Sequence, residues 1–492
     1  MNDADDSAQR ASWVAEVYSA DSGYCSAIMI LSLLLSCSGP PDVTPQKPDI
    51  VLVVVDTLRA DHLGVYGHSR PTSPYMDELA TSGTWFHRAY AASGWTLPSM
   101  ATLMSGLHAY QHQVGRMAFR ENEFGKLDAG VTTVAESLKA VGYSTAAVVN
   151  NTFMAPAFAL DQGFDVYDYM GASINEHRSA QTTVETGLRW LDGVQGSGFL
   201  VLHFMEPHLD YEATDPHFGR FAPAASPAEK VDLHALVGAS HGKTPPSSEA
   251  QEFIRQRYDE EILHVDDAIR GLVAQLKSRG RWDNTVLVIT SDHGEEFWDH
   301  GGYEHGHTLM GELTRVPLII AGAGKARGRV DAIVEHVDLS AGLVGLGGGQ
   351  KTAGAVGTDL WAIMDGTAKD HVDSALSENT MYGPGKVSIV DKTARLEFVF
   401  QSRAGSLWRV DSDGVERKRV DVTARQATGQ RLNRLAKDKR GGLMPIEGDG
   451  GVTIRDNEMF NQLLSLGYID GPAPDTEGSS ESSDQPEPAK TP

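Results

Sequence analysis

Unbroken apolar runs, each closing on a polar residue, punctuate this chain. Residues 49–55 end at Asp56, 144–149 at Asn150-Asn151, and 199–205 at Glu206-Pro207-His208. Residues 285–291 end at Asp292-His293-Gly294, and 317–321 end in a glycine-rich turn. A β-branched run without alternation predicts a strand covered on both faces, as in a parallel sheet. Between the runs the spacing turns helical. Residues 73–80 open with Ser73 as a capping serine followed by Pro74, and a second helix is predicted over 131–140. Over 252–277, Ile254, Tyr258, Ile262, Val265, Ile269 and Leu272 share one helical face. Strands alternating with helices predict an α/β fold, a three-layer α/β/α sandwich with a mostly parallel sheet. Ligands of such sheets bind beyond the C-terminal strand ends. Those ends hold Asp56, Asn150, Glu206, His208, Asp292 and His293.

The pattern changes after about residue 345, where short, partly alternating runs occupy 386–391, 394–400 and 406–410. Turn residues such as Ser412-Asp413-Gly414 follow, then a helical pattern over 426–437. This predicts a small C-terminal antiparallel sheet subdomain. The expected organisation is a catalytic domain over 48–345, an α+β subdomain over 346–465, and an acidic tail over 466–492 rich in Pro, Ser, Asp and Glu.

Composition narrows the function. Apolar content of 41% and charged content of 22% are those of a globular protein. A net charge of −24, from 66 acidic and 42 basic residues, argues against nucleic acid as a partner. The two cysteines, Cys25 and Cys37, precede the globular part, so a metal would have to be held by Asp, Glu, His and hydroxyl oxygen. Residues 27–35 are apolar but too short to span a bilayer, and suit the core of a signal peptide over 1–36. Leu34-Leu35-Ser36-Cys37-Ser38-Gly39 resembles a bacterial lipobox, and 37–47 reads as a tether. The expectation is a cell-envelope or periplasmic protein with membrane attachment through a lipid on Cys37. The segment before it carries Asp3, Asp5, Asp6 and Glu16 against Arg10 alone, a poor charge pattern for a signal. Either the true start lies further along, or this segment is a helix buried at the edge of the fold.

Thr96-Leu97-Pro98-Ser99, running on to Ser105-Gly106, has the form of a helix start: Thr as N-cap, Pro in the first turn, apolar residues after. Alone it is a capped helix. Beside two other stretches it resembles the sulfatase family of the alkaline-phosphatase superfamily. The first is Val55-Asp56-Thr57-Leu58-Arg59-Ala60-Asp61-His62-Leu63-Gly64. The second is Ser291-Asp292-His293-Gly294-Glu295-Glu296-Phe297, continued by His305-Gly306-His307-Thr308-Leu309 and Arg315-Val316-Pro317. The resemblance covers about residues 48–420 and implies an alkaline-phosphatase-like fold with ester-hydrolase activity.

Such hydrolysis needs a nucleophile, a means of lowering its pKa, and positive charge around the developing anion; a divalent metal supplies the last two. Asp56, Asp292 and His293 offer two carboxylates and an imidazole, suited to one ion of Zn, Mn, Mg or Ca. Thr96 is placed to bind the same metal and attack. His208 and His307 would stabilise the anion or protonate the leaving oxygen. Asn150, Glu206 and His305 are expected as substrate contacts, with Glu206, His208, His305 and His307 also weaker candidates for a second metal site. His203 suits a core position, His62, His87, His108 and His112 structural or surface ones, and Glu260 with His264 a helix face.

The departures from the family pattern are specific. The Cys or Ser that sulfatases convert to formylglycine is Thr96, which cannot yield the aldehyde, and the motif's arginine is Met100. The paired metal aspartates are Asp56-Thr57, Asn150-Asn151 stands where a lysine-containing sulfate-binding stretch is usual, and Asp292-His293 replaces Asp-Asn. A Thr nucleophile with an Asp-His pair resembles relatives acting on phosphorus. The expectation is therefore a metal-dependent hydrolase of sulfate or phosphate esters, phosphoester chemistry favoured, on a small-molecule, glycan or lipid ester. The alternative is a catalytically degenerate binding protein of the envelope.

Overall fold

The computed structural model describes residues 47–116, 123–171, 178–222, 245–324, 326–420, 426–440, 451–453, 459 and 461–463. The signal-like segment, Cys37 and the acidic tail lie outside them.

The central strand, β1 (Asp49–Val55), is buried along its whole length. Ile50, Leu52 and Val54 enter one hydrophobic core, and Val51, Val53 and Val55 enter a second on the opposite face. Two covered faces account for an apolar run with no alternation. After β1 come α1 (Pro74–Ser82), β2 (Thr84–Tyr90), α2 (Thr96–Ser105), β3 (Ser144–Val149), β4 (Val166–Tyr169) and α3 (Ala180–Asp192). Then follow β5 (Gly198–Phe204), α4 (Ser248–Ser278), β6 (Thr285–Ser291), β7 (Leu318–Gly322), β8 (Gly328–Glu335) and α5 (His336–Gly347).

The main sheet runs β2-β7-β6-β1-β5-β3-β4, with β8 beside β2 and the two-residue strand Arg315–Val316 at the β2 edge. β1 pairs in parallel with β5 and β6. The run at 317–321, expected as one more strand of the sheet, lies antiparallel to β6 and β2 as β7. The sheet is thus mostly parallel. Helices α1, α3 and α4 bury their apolar faces in one core, α2 and α5 in the other, which completes the three layers. Ser73 does not cap α1 through its hydroxyl. The first N–H groups of that helix, at Tyr75 and Met76, donate instead to Asp266 of α4, the latter at 2.7 Å.

The C-terminal sheet is an antiparallel meander of β9 (Ser374–Glu378), β10 (Lys386–Asp391), β11 (Ala394–Val399), β12 (Ala404–Val410) and β13 (Glu416–Val420). Helix α6 (Gln426–Arg440) packs Leu432 against Leu376, Val387, Ile389 and Leu407.

The register of β1 matters most for function. Val55 stands opposite Phe204 of β5 and Ser291 of β6. The next residues, Asp56 and Asp292, therefore leave the sheet side by side from strands about 4.8 Å apart.

Candidate active site

Asp56, Asp292 and His293 are all fully buried where β1 and β6 end, and Thr96 is buried beside them at the start of α2. His293 Nδ1 lies 2.9 Å from the Gly294 carbonyl, and its Nε2 lies 3.5 Å from Asp56 Oδ1 and 3.4 Å from Asp292 Oδ2. The same Nε2 lies 3.2 Å from Thr96 Oγ1.

Thr96 is not the N-cap expected from its sequence. Trp95 holds that position without a side-chain cap, and Thr96 is the first helical residue. Its hydroxyl is thereby available to the site. The early N–H groups of α2, uncapped by any side chain, are a local anion-binding feature. Met100, at the family's arginine position, is wholly buried in the core.

Two side chains join the cluster that the sequence pattern had not placed there. Asn151 donates through Nδ2 to Asp56 Oδ2 at 2.7 Å and to Thr96 Oγ1 at 3.3 Å. Its Oδ1 accepts from Phe153 N at 2.8 Å, which fixes the amide orientation. His203 of β5, expected in the core, brings a ligand nitrogen within 4.8 Å of carboxylate oxygens of Asp56 and Asp292. Neither of its ring nitrogens has a hydrogen-bond partner, nor do Asp56 Oδ1 and Asp292 Oδ2. A lone histidine in the otherwise apolar strand 198–204, one residue before its end, was the available signal.

The buried atoms without partners fit a cation. Burial and the neighbouring Asp292 push the Asp56 carboxyl up. Burial also opposes ionisation of Asp292, but the adjoining His293, whose backbone N–H donates to Asp292 Oδ1 at 2.9 Å, holds that carboxyl down. Burial keeps His203 neutral, with a pKa of about 4 and a lone pair to offer. A divalent ion among these donors would let both carboxylates ionise and satisfy the orphaned oxygens. Thr57, where the family has its second aspartate, has φ 55°, a strained conformation for a β-branched residue, right beside the site.

The remaining candidates separate. His305 and His208 pack together at 5.1 Å between ring centroids, and the His305 ring lies 4.5 Å from that of His293. His307, expected in catalysis, is tied to Glu296 by Nε2 at 2.7 Å. This contact places His307 beside the ribbon formed by Glu296–Phe297 and Tyr303–Glu304. Asn150, expected to contact substrate, donates to Thr183 Oγ1 at 2.8 Å and to the His203 carbonyl, so it braces β5. Glu206 accepts from Ala180 N at the start of α3 at 3.1 Å, with His264 Nε2 3.8 Å away. It serves the helix terminus rather than the Thr96 cluster.

Residues 48–349 match the sulfatase family. The chain belongs to that family of sulfuric- and phosphoric-ester hydrolases, whose members work with a divalent cation, and its fold is alkaline-phosphatase-like. It is 24% identical over 366 residues to an arylsulfatase of Clostridium perfringens, covering 60% of this chain and 73% of that one. The phosphonate monoester hydrolase of Silicibacter pomeroyi superposes with a TM-score of 0.64 at 20% identity, over 83% of this chain and 99% of the other. A protein solved with its substrate D-glucosamine-2-N,6-O-disulfate superposes with a TM-score of 0.63 at 17% identity, over 80% of this chain and 98% of the other.

Proposed function

We propose that the protein hydrolyses phosphate, phosphonate or sulfate esters with Thr96 as nucleophile, phosphorus esters being the better substrates. The observation carrying this reading is the Thr96 hydroxyl, held 3.2 Å from His293 Nε2 and 3.3 Å from Asn151 Nδ2 at the start of α2. Asp56, His203, Asp292 and His293 would hold the cation, which supplies charge neutralisation and a lowered hydroxyl pKa. Thr96 Oγ attacks phosphorus or sulfur, its proton passing to water, and the ester bond to the leaving alcohol breaks, the alcohol oxygen taking up a proton from water. The N–H groups opening α2 face the transferred oxyanion. Water then releases the threonyl ester. Phosphorus is favoured because a threonyl sulfate must be cleaved by water, without the elimination route that a formylglycine hydrate provides. The buried donors Asp56, His203, Asp292 and His293 together weigh against the degenerate binding-protein reading.

The test is parallel assay of aryl phosphate, phosphodiester, phosphonate and sulfate esters with defined metals. Thr96→Ala is expected to lose at least ~10³-fold in kcat/KM on the preferred ester. Full turnover by that variant would sink the mechanism. We further propose the cell envelope as its location, on the lipobox-like Leu34–Cys37 sequence. Mass spectrometry finding an intact, unmodified chain from Met1 in cells would refute lipidation at Cys37.

A further inference from the structure

We propose that His208, Glu304 and His305 form a second cation site, of zinc type, adjacent to the first. A carboxylate oxygen of Glu304 and one ring nitrogen from each histidine lie within 4.8 Å of one another, all three residues being buried. The placement matches a ligand set of two imidazoles and one carboxylate, which selects zinc or a similar transition ion over calcium or magnesium.

Three features indicate a built site. His305 Nδ1 lies 2.9 Å from Glu295 Oε1, and Glu295 Oε2 accepts from the Tyr211 hydroxyl at 3.0 Å. A carboxylate holding Nδ1–H makes Nε2 the lone-pair nitrogen, the usual arrangement behind a metal-bound histidine. His208 repeats it with a backbone acceptor, its Nδ1 lying 3.1 Å from the Leu209 carbonyl. Glu304, finally, is 1% exposed, and neither carboxylate oxygen has a hydrogen-bond partner. Protonation would leave a buried hydroxyl equally unsatisfied. Its backbone has φ 66°, a left-handed conformation costly for glutamate, so the ribbon holds this side chain in place against local preference. A cation accounts for all three.

The site stands on its own donors, whether or not the first site is loaded. The experiment is metal analysis of the full chain after zinc loading and dialysis, for wild type, Glu304→Gln and Asp292→Asn, with zinc-edge anomalous scattering from wild-type crystals. Wild type is expected to retain one more equivalent than Glu304→Gln, with an anomalous peak among His208, Glu304 and His305. Asp292→Asn should keep that peak. Glu304→Gln is nearly isosteric, and its melting curve without zinc checks folding. Equal zinc in wild type and Glu304→Gln, with no peak among the three residues, would overturn the proposal. If zinc is then lost in Asp292→Asn alone, the first-site reading survives. Zinc lost in Glu304→Gln alone would leave the second site standing and remove the first.

Discussion

Asn150 and Asn151 are consecutive residues with unlike tasks. The chain turns out of β3 between them, so one amide points back toward β5 and the other toward Asp56 and Thr96. Asn151→Ala is expected to lower kcat by about 10–100-fold with little change in folding, as for loss of a residue orienting a ligand and a nucleophile. Asn150→Ala should do the reverse. It leaves the Thr183 hydroxyl and the His203 carbonyl short of a partner, costing about 1–3 kcal/mol while the folded fraction keeps most of its turnover. Steady-state kinetics beside urea unfolding separates the two. Sequence alone could place a polar pair at this strand end but not say which member faces the site, because direction depends on backbone turns after the strand. Thr96 poses the same problem: both a cap and a site hydroxyl begin a helix, and the difference is a one-residue shift of the helix start.

Between strand and helix, the loop leaving β1 is held by Tyr258 of α4. Its hydroxyl accepts from Arg59 N at 2.9 Å and donates to the Thr57 carbonyl at 2.7 Å. Tyr258→Phe leaves both groups buried and unpaired, an expected loss of about 2–4 kcal/mol in chemical denaturation. Arg59 then reaches from this loop to Asp299, at 2.8 Å, and to Asp61. Burial would raise Asp299, but the guanidinium overrides it and holds the carboxyl at about 2. Since the folded pKa lies below the unfolded value of about 3.9, this contact stabilises fully above pH ~4 and is lost as pH falls toward ~2. Acid unfolding followed by circular dichroism should show that loss, and Arg59→Gln should unfold at higher pH. Helix α4 was legible because its apolar spacing persists over many turns, and β1, β5 and β6 because both their faces are buried. β2 and β8 were not. His87 and Arg88 interrupt β2, and β8 begins with polar residues and carries an irregularity between Val330 and Ile333. Neither shows an unbroken run or a clean alternation.

Across the whole molecule, the C-terminal sheet bears on the loop that carries His305. Glu397 of β11 accepts from Thr308 Oγ1 at 2.9 Å and from Leu309 N at 3.1 Å. Lys386 of β10 donates to the His307 carbonyl at 2.9 Å, and the buried Arg395 to the Leu309 carbonyl at 2.8 Å. Short alternating strands announced this sheet in the sequence; nothing in their pattern announced what it holds, since these contacts join residues about eighty positions apart. The loop is thus anchored from outside the main sheet, and the His305 ring, 4.5 Å from His293, inherits its position from that anchoring. Glu397→Ala should therefore lower kcat on the order of ten- to a hundredfold through misplacement of the loop. Glu397→Gln keeps an acceptor for both donors and should recover most of the activity. Equal impairment of the two variants would mean that the charge of Glu397, 3.8 Å from Lys386 Nζ, matters more than its grip on Thr308 and Leu309. Unimpaired turnover in both would mean that the catalytic unit holds the His305 loop without the C-terminal sheet.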